Sequence, residues 1–223
     1  MSPPCRYECR ADEDDDGHRD ANRTETNAVF GYGDANADFH VVGDHPGVHG
    51  GRETGVPFTG SAAGERLQPV LNEVGLLGDA YSDEPAVADV FFSYLHMCCL
   101  PEDRAPTDRE YDDLEPFFDA ELRAIAAHVL VPVGERATRY VLGTYAAREA
   151  LLDAAGDDPM AELHADHLPG RGFLVVPVRD PSDWEEGDGK RLAASLADLL
   201  ATDYRQTADL GRFLTEHDTY EVR

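Results

Sequence analysis

Three observations in the sequence predict an α/β protein whose parallel sheet lies between layers of helices. Runs rich in β-branched and aromatic residues recur at Phe39 to Val42, Val87 to Met97, Val129 to Gly134 and Phe173 to Val178. Between them the apolar residues fall at helical spacing, as in Leu67, Val70 and Leu71, or Leu114, Phe117, Phe118, Leu122 and Ile125. Strands that alternate with helices in this way pair in parallel, because each crossover returns the chain to the same end of the sheet. The third observation is length, since 223 residues suffice for one such domain and are few for two.

Taken in order, residues 1–27 hold Cys5, Cys9 and the acidic run Asp12 to Asp16 with little apolar periodicity, so this segment is set apart from a single domain over 28–223. Gly43-Asp44-His45-Pro46-Gly47 cannot continue the first strand, and the small residues Ser61, Ala62 and Ala63 open the first long helix. Thr107 followed by Glu110 is a capping-box pattern at the head of the helix that carries Leu114 to Ile125. The strand from Val129 leads into a helix through Ala137, Tyr140 and Val141, and the chain beyond Val178 reads as helical.

The formal charge of −26 would ordinarily argue against a nucleic-acid partner, because neutralising phosphates requires cations. Here that inference fails. Lys190 is the only lysine, and the acidic residues are spread over the whole chain, the pattern of a salt-adapted proteome in which molar salt screens self-repulsion. A DNA contact would then come from local arginines and backbone amides. No apolar run reaches membrane-spanning length and the N-terminus lacks the basic-then-apolar order of a signal peptide, so a soluble cytoplasmic monomer is expected.

The stretch Phe39 to Leu71 carries the most chemistry, because ligand sites of parallel sheets lie beyond the strands' carboxyl ends. Gly43, Asp44, Pro46, Gly47, Gly55, Pro57, Phe58, Gly60, Ala63 and Gly64 match, in register, the first motif of the uracil-DNA glycosylase superfamily. The chain is most similar to the iron-sulfur branch called family 4, with Asp44 for a glutamate and a slightly longer spacer. Cys98, Pro101, Arg104, Pro106, Thr107, Pro116 and Phe117 resemble the family's second segment, and Gly134, Ala137 and Gly143 its third. The similarity extends over roughly residues 28–202 and implies a compact three-layer α/β/α fold around a four-stranded parallel sheet.

The resemblance also implies a chemistry. Cutting the N1–C1′ bond of deoxyuridine separates a cation-like sugar from a uracil anion, and the base must be held outside the duplex. By position, Asp44 is the motif-one acid, Phe58 the face on which the base stacks, and the backbone of Gly43, Asp44 and His45 the pocket floor. Plain alternatives stand beside each: an Asx-turn residue at 44, a core phenylalanine at 58, surface loop histidines at 45 and 49. Two family side chains are replaced. Tyr94 stands where an asparagine reads uracil, and in Pro177-Val178-Arg179-Asp180-Pro181-Ser182, Asp180 stands where a histidine faces the leaving oxygen. Arg179 or Asp180 would have to take over that role, with Pro181 and Ser182 completing the DNA-facing motif. The family's [4Fe–4S] cluster would draw on Cys5, Cys9 and Cys98, but Leu114 occupies the fourth ligand's place. Free thiols, or a zinc site from Cys5, Cys9 and His18, are the alternatives. The expected function is uracil-DNA glycosylase-like base excision repair, removing uracil or a related damaged base from uracil-containing or single-stranded DNA. The alternatives are a degenerate member that binds DNA or a repair partner without cutting, and a hydrolase of free nucleosides or nucleotides.

Overall fold

The computed structural model describes residues 4–5, 28–101 and 104–210. Six strands form one sheet: β1 (Tyr32–Gly33), β2 (Phe39–Gly43), β3 (Val90–Tyr94), β4 (Val129–Pro132), β5 (Leu168–Pro169) and β6 (Leu174–Val175), in the spatial order β1-β3-β2-β4-β6-β5. The inner four, β3-β2-β4-β6, pair in parallel, which is the expected four-stranded core. The two additions are the antiparallel strands β1 and β5 at the edges, each two residues long. Strands this short carry too little periodicity to stand out in a sequence.

Period-two alternation divides the sheet between two cores. Phe39, Val41, Phe92, Val129, Val131 and Leu174 belong to one, packed beneath α2 (Ala62–Glu73) and α7 (Asp188–Leu200). Val42, Leu130 and Val175 belong to the other, beneath α3 (Asp108–Ile125) and α4 (Glu135–Val141). These are the three layers. The Thr107 capping box forms as expected: the Thr107 side chain accepts the Glu110 N–H, and the Glu110 carboxylate accepts the Thr107 N–H at 2.8 Å. A one-turn helix, α1 (Pro46–His49), opens the loop after β2, and α4 runs on through a wide turn over Leu142–Ala146. Two short helices, α5 (Ala150–Ala154) and α6 (Pro159–Leu163), precede β5, and α8 (Tyr204–Leu210) follows α7.

The opposite end of the sheet is tied by Asp38. Its carboxylate accepts from His128 at 3.0 Å, from Tyr204 at 2.9 Å and from Arg205. Burial opposes the charge, but these donors together hold the carboxyl below its ordinary range. The network anchors α8 to the strands' amino ends and leaves the carboxyl ends to the loops that follow β2, β3, β4 and β6.

Candidate active site

Those four loops converge on one imidazole, His49. It lies in α1 and is 1 % exposed. Its Nδ1 accepts the Asp44 backbone N–H at 3.0 Å. An amide can only donate, so Nδ1 is the acceptor and Nε2 carries the proton. That proton faces Asp180 Oδ2 at 3.3 Å. The ring lies on Phe58, with centroids 5.2 Å apart and planes 25° from parallel, an offset stack. Gly134, at the start of α4, lines the same spot: a Cβ there would fall 3.8 Å from Asp180 and 3.9 Å from His49.

Phe58 is held in an unusual backbone state. Its φ is +59°, in the left-handed region, which costs a non-glycine residue about 1–2 kcal/mol. Three groups fix it there. The Phe58 N–H donates to Tyr94 Oη at 2.8 Å, the Gln68 amide donates to the Phe58 carbonyl at 2.8 Å, and the ring is wholly buried against Phe92, Tyr94 and His49. Gly64 makes this turn possible, since a Cβ there would sit 2.1 Å from the Phe58 carbonyl oxygen. Strain held this firmly is characteristic of functional positions.

Tyr94 closes the other side. Its hydroxyl accepts from Phe58 and donates to the Gly50 carbonyl at 3.1 Å, and burial pushes the phenol well above its ordinary pKa, so it stays neutral. Gly43 is wedged between the two rings: a Cβ would meet Tyr94 at 2.6 Å and His49 at 2.8 Å. Any larger residue at 43 would displace the strand end.

Asp44 turns to the other layer. Its Oδ1 accepts from the Tyr111 hydroxyl of α3, and its carbonyl accepts the His96 N–H at 3.0 Å. Tyr111 lies under the Arg136 guanidinium, 4.3 Å from the ring centroid, and both line an open cleft of about 630 Å³ between α3 and α4. His45 caps α1, its Nδ1 accepting the Gly47 N–H at 3.2 Å. It is 2 % exposed, and burial lowers its pKa to about 4, so it is neutral. Neither His45 nor His49 is the surface loop histidine that the sequence allowed.

Asp180 is a carboxylate, not a neutral acid. Burial acts to raise its pKa, but the His49 bond and the Ser182 hydroxyl and N–H, both on Oδ1, outweigh it and bring the value to about 2. Ser182 is thereby committed to the turn. Pro181 is buried, and its carbonyl and those of Ser182 and Trp184 all accept from Arg66 of α2, at 2.9, 3.1 and 3.2 Å. Arg179, expected beside the leaving group, instead directs its guanidinium to Asp158, Glu185 and Asp188 at 3.6, 3.3 and 3.4 Å. Its charge is shared among three carboxylates.

The cysteines also depart from expectation. Cys5 and Cys98 form a disulfide with Cα atoms 5.2 Å apart, and Cys99 is disulfide-bonded as well. They are not free thiols. Cys9 and His18 lie outside the described residues, so the zinc alternative falls there too. Leu114 is buried in the apolar cluster with Cys98, Met97 and Ala28, against which Cys5 packs. With two sulfurs bonded to each other and a leucine in the fourth place, the described residues do not fit a [4Fe–4S] cube, whose irons need thiolates.

The Asp44 backbone N–H, Phe58, Tyr94 and Asp180 thus lie around one residue, His49. What the sequence did not reveal is that His49 joins them, or that Tyr111 and Gln68 support them. A histidine in a Gly-rich loop gave little signal. Comparison with known proteins shows the family. The family model described as "Uracil DNA glycosylase superfamily" matches residues 30–200, and the chain belongs to that superfamily. Uracil-DNA glycosylases named type 4 and type 5 both resemble it. A type-5 uracil-DNA glycosylase of Pyrobaculum aerophilum is 32% identical over 184 residues, 81% of this chain and 75% of that protein. A type-5 enzyme of Mycobacterium leprae is 31% identical over 77% of this chain and 75% of its own length. A type-4 enzyme of Saccharolobus solfataricus is 31% identical over 70% and 66%.

Proposed function

We propose that this chain acts in base excision repair of DNA, hydrolysing the N-glycosidic bond of uracil or a related damaged base. The observation that carries this reading is Phe58, a wholly buried aromatic face held at φ +59° beneath the Asp44 loop. A planar base would stack on that face, a contact worth on the order of 1–3 kcal/mol. Asp44, oriented by Tyr111, would offset charge developing on the sugar and orient water, since its second carboxylate oxygen has no partner among the described residues. The Asp44 backbone N–H, which donates to His49 Nδ1 at 3.0 Å, would donate to a base oxygen as the bond breaks. Water adds to the anomeric carbon, and the base leaves with the bonding electron pair.

DNA as substrate is supported by position. Arg52, Arg66, Arg104 and Arg136 all lie on the loops or helices that follow the carboxyl ends of the strands, and although Arg104 and Arg136 are paired with Glu110 and Asp108, phosphates could compete for these guanidiniums on a chain of −26. A second reading, recognition without cleavage, is favoured by two observations: Tyr94 spends its hydroxyl on the backbone, and Asp180 is anionic where charge stabilisation needs a donor. Incubation in molar KCl with single- and double-stranded oligonucleotides carrying uracil, hypoxanthine or xanthine separates the two. Alkali-labile abasic sites establish the first reading, and binding with no such sites establishes the second.

A further inference from the structure

His49 does more than line the pocket. Its ring covers the face of Phe58, at 5.2 Å and 25°, with both side chains sealed from solvent. One edge presents a lone pair to the Asp44 N–H, and the opposite edge presents an N–H to the Asp180 carboxylate. A flat ring, a stacking face, a donor on one side and an acceptor on the other are together the pattern of a bound heterocyclic base. From this we infer that His49 is an intramolecular stand-in for the base: it fills the Phe58 site when no ligand is present and must leave for one to enter. The inference rests on the reading of Phe58 as the stacking face.

The same geometry defines what can replace it. The incoming ring has to offer an acceptor to the Asp44 N–H and a ring N–H to Asp180, because Asp180 is anionic and cannot donate. Uracil, hypoxanthine and xanthine carry a carbonyl beside a ring N–H and satisfy both. Neutral cytosine and adenine carry no ring N–H on their pairing edge. On this view Asp180, at the position of the family's histidine, selects for a ring N–H, and His49 keeps the pocket closed to water and to mismatched rings. Such closure carries a cost, since affinity is reduced by the fraction of molecules in which the plug is displaced.

The test is made on the full chain in molar KCl, with imidazole and with uracil and cytosine methylated at N1 as probes, since the methyl group removes the N1–H that free cytosine would offer beside its carbonyl. His49→Ala should bind uracil at least tenfold more tightly than the native protein, with cytosine unimproved, and a crystal of the complex should show uracil on Phe58. Adding Phe58→Ala should abolish that gain. Imidazole should raise the melting temperature of His49→Ala and leave that of the native protein unchanged, which keeps the test decisive if the variant is poorly stable alone. Uracil binding that His49→Ala fails to improve, or uracil seated away from Phe58, overturns the inference. So does a variant that stays unfolded in saturating imidazole, since a plug that a free ring cannot replace is a core residue. Absence of excision in every background, with uracil on Phe58, would count against the glycosylase reading and leave the stand-in role intact.

Discussion

The Tyr94 hydroxyl accepts the Phe58 N–H at 2.8 Å and donates to the Gly50 carbonyl at 3.1 Å, so one phenol ties the stacking residue to the far end of α1. Both partners are backbone groups with few alternatives once buried. Tyr94→Phe keeps the ring and removes only the oxygen, leaving a buried amide without an acceptor. It is expected to cost about 1–3 kcal/mol of unfolding free energy, measured by denaturant titration in molar KCl. A loss near zero would mean that Phe58 keeps its φ without the phenol.

Asp180 gives the site an acid-sensitive contribution to stability. Its pKa falls from 3.8 to about 2 on folding, so its contribution is fully present above the unfolded value. It is lost as pH falls through the window from about 4 to about 2. Asp180→Asn should therefore be less stable than the native protein at neutral pH, and the difference should shrink in acid. Urea midpoints at pH 7 and pH 3 would show this, and an unchanged difference would contradict the role given to the His49 bond.

Buried histidines act over a higher range. His40 is fully buried, with Nε2 at 2.6 Å from Ser93 Oγ and Nδ1 without a partner, and burial lowers its pKa from 6.5 to about 3. The unfolded chain binds a proton near pH 6.5 that the folded chain refuses until about 3, so stability falls as pH drops through that interval. The slope is about 1.4 kcal/mol per pH unit for one such group. His45, His96 and His164 shift the same way through burial and steepen it. His40→Leu with Ser93→Ala removes both polar partners and should flatten the slope by close to one proton, read from unfolding free energies between pH 4 and 7.

At the head of α3, Thr107→Ala removes the acceptor for the Glu110 N–H and half of the capping box. The expected cost is about 1 kcal/mol. Thermal unfolding would register it, and Thr107→Ser should recover most of it by restoring the hydroxyl.

What the sequence disclosed follows from how local its signals are. The capping box at Thr107 and the helical face through Leu114, Phe118 and Leu122 were legible because each is written within a few residues. The motif loop placed Asp44 and Phe58 in one pocket for the same reason, through a resemblance in register. His49 was not legible in this role. Its significance depends on Asp180, 131 residues away, and on Phe58 adopting a left-handed φ that no propensity predicts for phenylalanine. Where the Arg179 guanidinium goes was not legible either, because an arginine beside a motif does not say which of the surrounding carboxylates, here Asp158, Glu185 and Asp188, it meets in the fold. The pairing of Cys5 with Cys98 likewise spans 93 residues and has no local signature.

The last prediction concerns catalysis. Two changes, Tyr94→Asn and Asp180→His, restore the side chains of the superfamily motif that this chain resembles. The aspartate is anionic, and a uracil anion forming beside it is destabilised. A histidine there would offer a hydrogen bond to the leaving oxygen, and one such donor is worth about a hundredfold to a thousandfold in rate. The asparagine would supply the paired donor and acceptor that a phenol lacks. It would also delete the ring that packs on Gly43 and the hydroxyl that holds Phe58, so the double variant should be less stable by about 3–5 kcal/mol, as for other large-to-small core changes. Loss of stability together with gain of rate is the expected signature. Single-turnover excision of uracil from a labelled oligonucleotide in molar KCl should rise by at least a hundredfold over the native chain at matched folded concentration. If the native protein already excises uracil as fast as the double variant, the replacements at 94 and 180 do not limit the chemistry, and the backbone N–H of Asp44 supplies the missing donor.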